Sequence, residues 1–204
     1  LATPVGWQIF AQNTVNTITF DTTLDGVNND TFLGDGLAPV PEVGQLNSGA
    51  WAFTGFSDGS LAFGATSAED SDYDQGTSSG GISEGGLYAF ETQPDNVALG
   101  IQPGNGDFAP GTVTLKVQNR TGATVNSISL GYKVYIYNDQ PSSSSFNLST
   151  SPDGGTYTIL PTLNITSPAL ADEAPQWKGY YRVATIPITV ANNNHIYIRW
   201  SSAT

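Results

Sequence analysis

Carboxylates at alternate positions are the first feature of this 204-residue sequence that could do chemistry. In Glu69-Asp70-Ser71-Asp72-Tyr73-Asp74-Gln75-Gly76, the side chains of Asp70, Asp72 and Asp74 stand two apart before a glycine, and hard oxygen ligands on a flexible loop suit Ca²⁺. The spacing comes near that of an EF-hand loop. However, its glycine falls one place late and Gly81 stands where that loop needs a glutamate, so the segment is not an EF-hand. A second set, Asp25, Asn28, Asn29, Asp30 and Asp35 in LDGVNNDTFLGDG, offers the same ligand chemistry in a long loop. Structural calcium is the expectation for both, and a solvated acidic turn is the competing reading.

Aromatic rings come next, because modules that bind carbohydrate stack exposed ring faces on sugar C–H groups and flank them with polar hydrogen-bonding groups. Trp51, Phe53 and Trp200 have apolar neighbours at period-two spacing and read as core. Trp177 and Tyr180 lie in Asp172-Glu173-Ala174-Pro175-Gln176-Trp177-Lys178-Gly179-Tyr180-Tyr181, read as a loop, where Trp177 is open to two readings: a half-exposed platform or a lid over the core. Tyr135 and Tyr137, with Lys133, occupy the polar face of one strand, and Tyr197 with Arg199 the polar face of another. Were those strands neighbours, they would form an aromatic and basic groove on an acidic protein. Ordinary cross-strand pairing is the other reading.

Signs of catalysis are weak. The one histidine, His195, follows three asparagines, and no G-x-S-x-G segment, phosphate-cradling G-x-x-x-x-G-K or dinucleotide fingerprint occurs. The acidic clusters lie in polar Gly/Ser-rich stretches, where a carboxylate keeps its ordinary pKa rather than the raised one a glycosidase acid needs. No catalytic residue is assigned. With 6 Lys and Arg against 18 Asp and Glu, the net charge of −12 disfavours nucleic acid and anionic membranes as partners. Cysteine is absent, which removes disulfides and thiolate chemistry. No apolar run approaches the roughly 20 residues of a spanning helix, so membrane insertion is not expected. Leu1 rather than Met opens the sequence, the expected mark of a processed or trimmed chain whose signal peptide is gone. Sequons stand at Asn29, Asn119, Asn147 and Asn164.

The elements that must position these residues read as strands. No segment carries an apolar stripe at helical spacing. Instead, short alternating runs are separated by Gly, Pro, Asn, Asp and Ser, the pattern of an all-β antiparallel sandwich. Clear strands are Thr112–Val117, Val125–Tyr137, Ser145–Ser149 with a return at Tyr157–Leu160 after the Ser151–Gly155 turn, Tyr180–Val190 and His195–Trp200. Looser candidates are Trp7–Phe20, Ala50–Phe56, Leu61–Gly64, Leu87–Phe90 and Val97–Ile101. Asp21–Ser48 and Thr66–Gly85 read as long polar loops, uncommon unless they bind something or are tied down. Nothing marks a domain boundary, so residues 1–204 are taken as one domain.

Several segments, in order, resemble a β-sandwich module of large secreted bacterial surface proteins of Bacteroidetes-type and marine organisms. They are Gly44–Gly59, Gly85–Phe90, Tyr135–Gln140, Ser145–Ser149 and Ile198–Trp200. The resemblance implies an extracellular jelly-roll-like sandwich, appended to enzymes or adhesins and without a catalytic role. In the resembling pattern an acidic loop and one more apolar strand follow the Arg-Trp strand, whereas this sequence stops at Thr204. A sandwich lacking that strand would have an open edge for strand addition, with Leu1–Gly6 as a donor. The function expected is therefore a secreted, non-catalytic module binding polysaccharide or another cell-surface ligand, with structural calcium. The alternative is a subunit of an extracellular fibre or adhesive matrix that self-assembles through the open edge.

Overall fold

The computed structural model describes residues 6–57, 59–67, 73–104 and 106–202. Its strands in chain order are β1 (Trp7–Ile9), β2 (Leu37–Ala38), β3 (Leu46–Asn47), β4 (Trp51–Phe56), β5 (Gly59–Leu61), β6 (Asp74–Ser78), β7 (Gly86–Gln93) and β8 (Asn96–Gln102). They continue with β9 (Thr112–Asn119), β10 (Val125–Tyr137), β11 (Ser145–Ser151), β12 (Thr158–Ile159), β13 (Ile165–Thr166), β14 (Trp177–Val190) and β15 (His195–Ser201). The fold is an all-β sandwich. One face is a large sheet in the order β12-β11-β15-β9-β4-β5, with β1 running parallel to the far end of β9 and β13 along the near end of β11. The other side is built from the long β10–β14 ribbon and the three-stranded sheet β6-β7-β8.

Alternation explains how these sheets meet. In β9 and β15 the buried Val113, Leu115, Val117, Ile196, Ile198 and Trp200 point into the sandwich, where they join Ile186, Ile188 and Val190 of β14 and Leu87 and Ala89 of β7. Burying such side chains supplies about 1.5–3 kcal/mol each relative to exposure, which orients every strand. The long strand read at Val125–Tyr137 has those bounds in the structure, and it pairs with β14 from Val125↔Val190 to Tyr137↔Trp177.

Four expectations change. Trp177 opens β14 rather than lying in a loop. Gly179, which made that stretch look irregular, is needed inside the strand, because a Cβ there would stand 2.3 Å from Lys133 Cε. Of Trp7–Phe20 only Trp7–Ile9 is strand; the polar remainder is exposed, Asn13 turns at φ 58 and Thr14 Oγ1 donates to Ala11 O. The 21–48 stretch, read as polar, feeds Val27, Phe32, Leu37 and Leu46 into the core, all at 0% exposure. Finally, β15 lies inside the large sheet, paired with β11 on one side and β9 on the other, so it presents no open edge. Gly6, placed in the unattached donor segment, packs closely on Gly49, where a Cβ would meet the Gly49 carbonyl. Residues 1–5 lie outside the described residues.

The connection from β14 to β15 carries the chain from the ribbon to the large sheet. Asn193 turns it at φ 70, and its N–H donates to Asn119 O while Asn119 N donates to Asn194 O. Among the described residues no helix is long and apolar enough to cross a membrane.

Candidate functional site

The outward positions of the large sheet form the best-defined site. Because Leu115 and Ile198 point inward, Thr114 and Lys116 of β9 and Tyr197 and Arg199 of β15 point outward. Register places Tyr197 opposite Lys116 and Arg199 opposite Thr114. On the other flank, Ser151 and Ser149 of β11 stand opposite the same Tyr197 and Arg199. The floor is thus Ser, Thr and Gln.

Aromatic rings wall this floor. Phe63, just after β5, lies 5.9 Å from Tyr197 edge-on, and the Lys116 ammonium sits 4.4 Å from the Phe63 ring centroid. Across the face, the Arg199 guanidinium stacks 3.6 Å from the Tyr157 centroid, while its Nε donates to Thr114 Oγ1 at 3.1 Å. Tyr157 is delivered by the Ser151–Gly155 turn: Ser151 Oγ accepts from Gly154 N, and Asp153 Oδ1 accepts from Gly155 N. Gly154, at φ 78, lies against Tyr197, where a Cβ would stand 3.1 Å from the ring. His195 lies 6.2 Å from Tyr197 at the end of the same row. All of these rings and cations are half-buried.

Burial sets the electrostatics. It lowers the pKa of Lys116 and, together with the nearby Lys116 charge, that of His195. It raises Tyr197, helped by the Asp153 charge, and raises Tyr157 against the opposing pull of Arg199. Asp153 itself is held below the usual carboxylate range, first by the Gly155 N–H and then by Ser151. Among the described residues the ion pair formed is Lys178–Asp172 at 2.6 Å, away from this face, so neither Lys116 nor Arg199 has a carboxylate partner.

The sequence-predicted rings divide between two places. Tyr197 and Arg199 belong to this face, but Tyr135, Tyr137 and Trp177 lie on the β10–β14 ribbon, which is not a neighbour of β15. No single groove joins them. Trp177 is a joint rather than a platform: its Nε1 donates to Ser79 O at 2.7 Å, and its ring meets Phe90 of β7 at 5.1 Å and Tyr137 at 5.2 Å. Lys133 covers Tyr135, whose hydroxyl accepts from Asn96 Nδ2 at 3.5 Å. Tyr180 sits half-buried on the opposite side of the ribbon, across from Val134. Deeper in this joint Tyr88 donates to Asp74 Oδ2 at 3.1 Å, and burial and that carboxylate hold the phenol well above its ordinary range.

Phe63, Lys116 and Tyr157 were missed in the sequence. Lys116 had a signal, as the one charge on the outward side of TVTLKV; Phe63 and Tyr157 reach the face from other segments, which periodicity cannot show.

The oxygen-rich segments have other work. Asn28 is 3% exposed, its Nδ2 donates to Thr22 O and Asp30 O, and its Oδ1 accepts from Leu24 N. Asp30 Oδ1 accepts from Thr31 N, and the Asp35 carbonyl accepts from Gln45. Asp74 serves Tyr88 as above, whereas Asp70 and Asp72 lie outside the described residues. Asp25 stands in the same hydrogen-bonded loop. Among the described residues no three Asp, Glu or His side chains gather as a metal site. Comparison of the chain with protein-family models, with curated proteins and with solved structures found no match, and so none to the secreted bacterial module that its segments resemble.

Proposed function

We propose that this protein is a non-catalytic polysaccharide-binding module whose ligand lies across the outer face of the large sheet. The observation that carries this reading is the set of three half-exposed rings, Phe63, Tyr157 and Tyr197, around a Ser/Thr floor, two of them bearing a cation. Rings of this kind give sugar C–H faces a surface to stack on, and the floor and cations supply hydrogen bonds that fix orientation. A long polar ligand fits an open strip better than a closed cavity, and polymeric glycans lie at cell surfaces or outside cells, which places the module there too.

The test is retention on insoluble polysaccharides in a pull-down. Tyr197→Ala combined with Phe63→Ala is expected to reduce retention by at least tenfold, since base and sugar stacking on one ring is worth about 1–3 kcal/mol. Unchanged retention in that variant, or no retention by any glycan tried, would overturn the reading.

A second reading, self-assembly by strand addition, keeps support from a different part of the molecule. Strands β10 and β14 pair only with each other among the described strands, and Tyr181 and Val183 on their outward side are 75% and 74% exposed.

A further inference from the structure

We infer that the glycan this face takes is anionic, a polymer bearing carboxylate or sulfate groups, a step that rests on the polysaccharide reading above. The protein as a whole carries a charge of −12, yet two of its 6 Lys and Arg stand diagonally adjacent on this one face, Lys116 on β9 and Arg199 on β15. Neither is neutralised. Lys116 Nζ has no hydrogen-bond acceptor among the described residues, and Arg199 uses Nε on Thr114 while its two terminal nitrogens have none. The other cations are differently engaged: Arg120 donates to Asn193, Lys178 pairs with Asp172, Arg182 donates to backbone carbonyls and Lys133 lies over Tyr135 on the ribbon.

Position strengthens the point. Both cations are half-buried and held over rings, so their side chains are already fixed and their unused N–H groups are presented rather than searching solvent. A guanidinium with two free nitrogens matches the paired oxygens of a carboxylate or sulfate. The nearest acid, Asp153, spends Oδ1 on Ser151, Gly155 and Thr156 inside its turn. A neutral glycan would leave these N–H groups no better partnered than water does. Phosphate polymers are disfavoured by the charge of the whole molecule, because their long-range repulsion acts beyond this one patch.

Affinity electrophoresis of the full chain separates the outcomes, using polygalacturonate, a sulfated galactan, carboxyl-reduced polygalacturonate and single-stranded DNA as probes. Retardation by polygalacturonate or by the sulfated galactan, weakening with added salt and absent from the reduced polymer, is expected; which of the two retards names the group. Lys116→Gln and Arg199→Gln should each weaken it about tenfold, as for a lost charge-assisted hydrogen bond, with Lys133→Gln unchanged and circular dichroism confirming the fold of each. Retardation by the reduced polymer that is lost in Tyr157→Ala but kept in Arg199→Gln would overturn the anionic inference and leave the polysaccharide reading standing. Retardation by no glycan would overturn both. Equal retardation by DNA would overturn the inference as well.

Discussion

Gly154 shows how one residue holds this face together. Its φ of 78 is open to glycine at little cost, and its missing Cβ leaves the Tyr197 ring where it is. Gly154→Ala is expected to destabilise the protein by about 1–2 kcal/mol from the left-handed backbone alone, measured by urea unfolding, and to weaken glycan retention by displacing Tyr197. Unchanged retention would separate the turn from the site. Single residues were also where the sequence was least informative. Asn119 reads as a sequon, yet it is 3% exposed, with its amide donating to Ala123 O and Val190 O and its Oδ1 accepting from Thr121. Asn28 reads as a calcium ligand and is instead spent on its own loop. A polar side chain in a Gly-rich segment looks the same in sequence whether it faces water, a metal or a buried carbonyl.

At the scale of elements, the strands whose alternation is driven by burial were legible, because one face of each must be apolar: β9, β10, β11 and β15 all appear close to where period-two spacing put them. Short pieces such as β2, β3 and β6 were not, since two to five residues in a Gly-rich stretch carry too little pattern, and partners decide them: β6 exists as a parallel neighbour of β7. Pairing between strands was also illegible. Nothing local distinguishes a β14 that turns back on β15 from one that hands the chain to another sheet, and that difference split the predicted aromatic groove into a binding face and a joint. The joint yields a prediction. Trp177→Ala is expected to destabilise the fold by about 2–3 kcal/mol, less than for a fully buried ring, while leaving glycan retention at native strength at a temperature where both proteins are folded. A loss of retention without loss of stability would return Trp177 to the binding site.

Across the whole molecule, a polysaccharide-binding module is expected to remain a single-chain particle in light scattering. Growing polymers would instead favour strand addition at the ribbon, and Val183→Lys on its exposed side should then suppress them, as edge charges do elsewhere. The long loop of 21–48 stays ordered by burying Val27, Phe32, Leu37 and Leu46 and by bonds such as Asn47 N to Val27 O, so its order is a property of the fold rather than evidence of a ligand. The interior place of β15 reaches into biosynthesis. During translation β9 and β11 emerge first, each with an unmatched row of backbone donors and acceptors, and they can be joined only when residues 195–201 arrive to lie between them. Such late, sequence-distant closure slows folding and prolongs the interval in which a nascent chain can stick to its neighbours. A ribosome stalled before His195 would therefore hold an incomplete sheet, and folding of this protein is timed by its final strand.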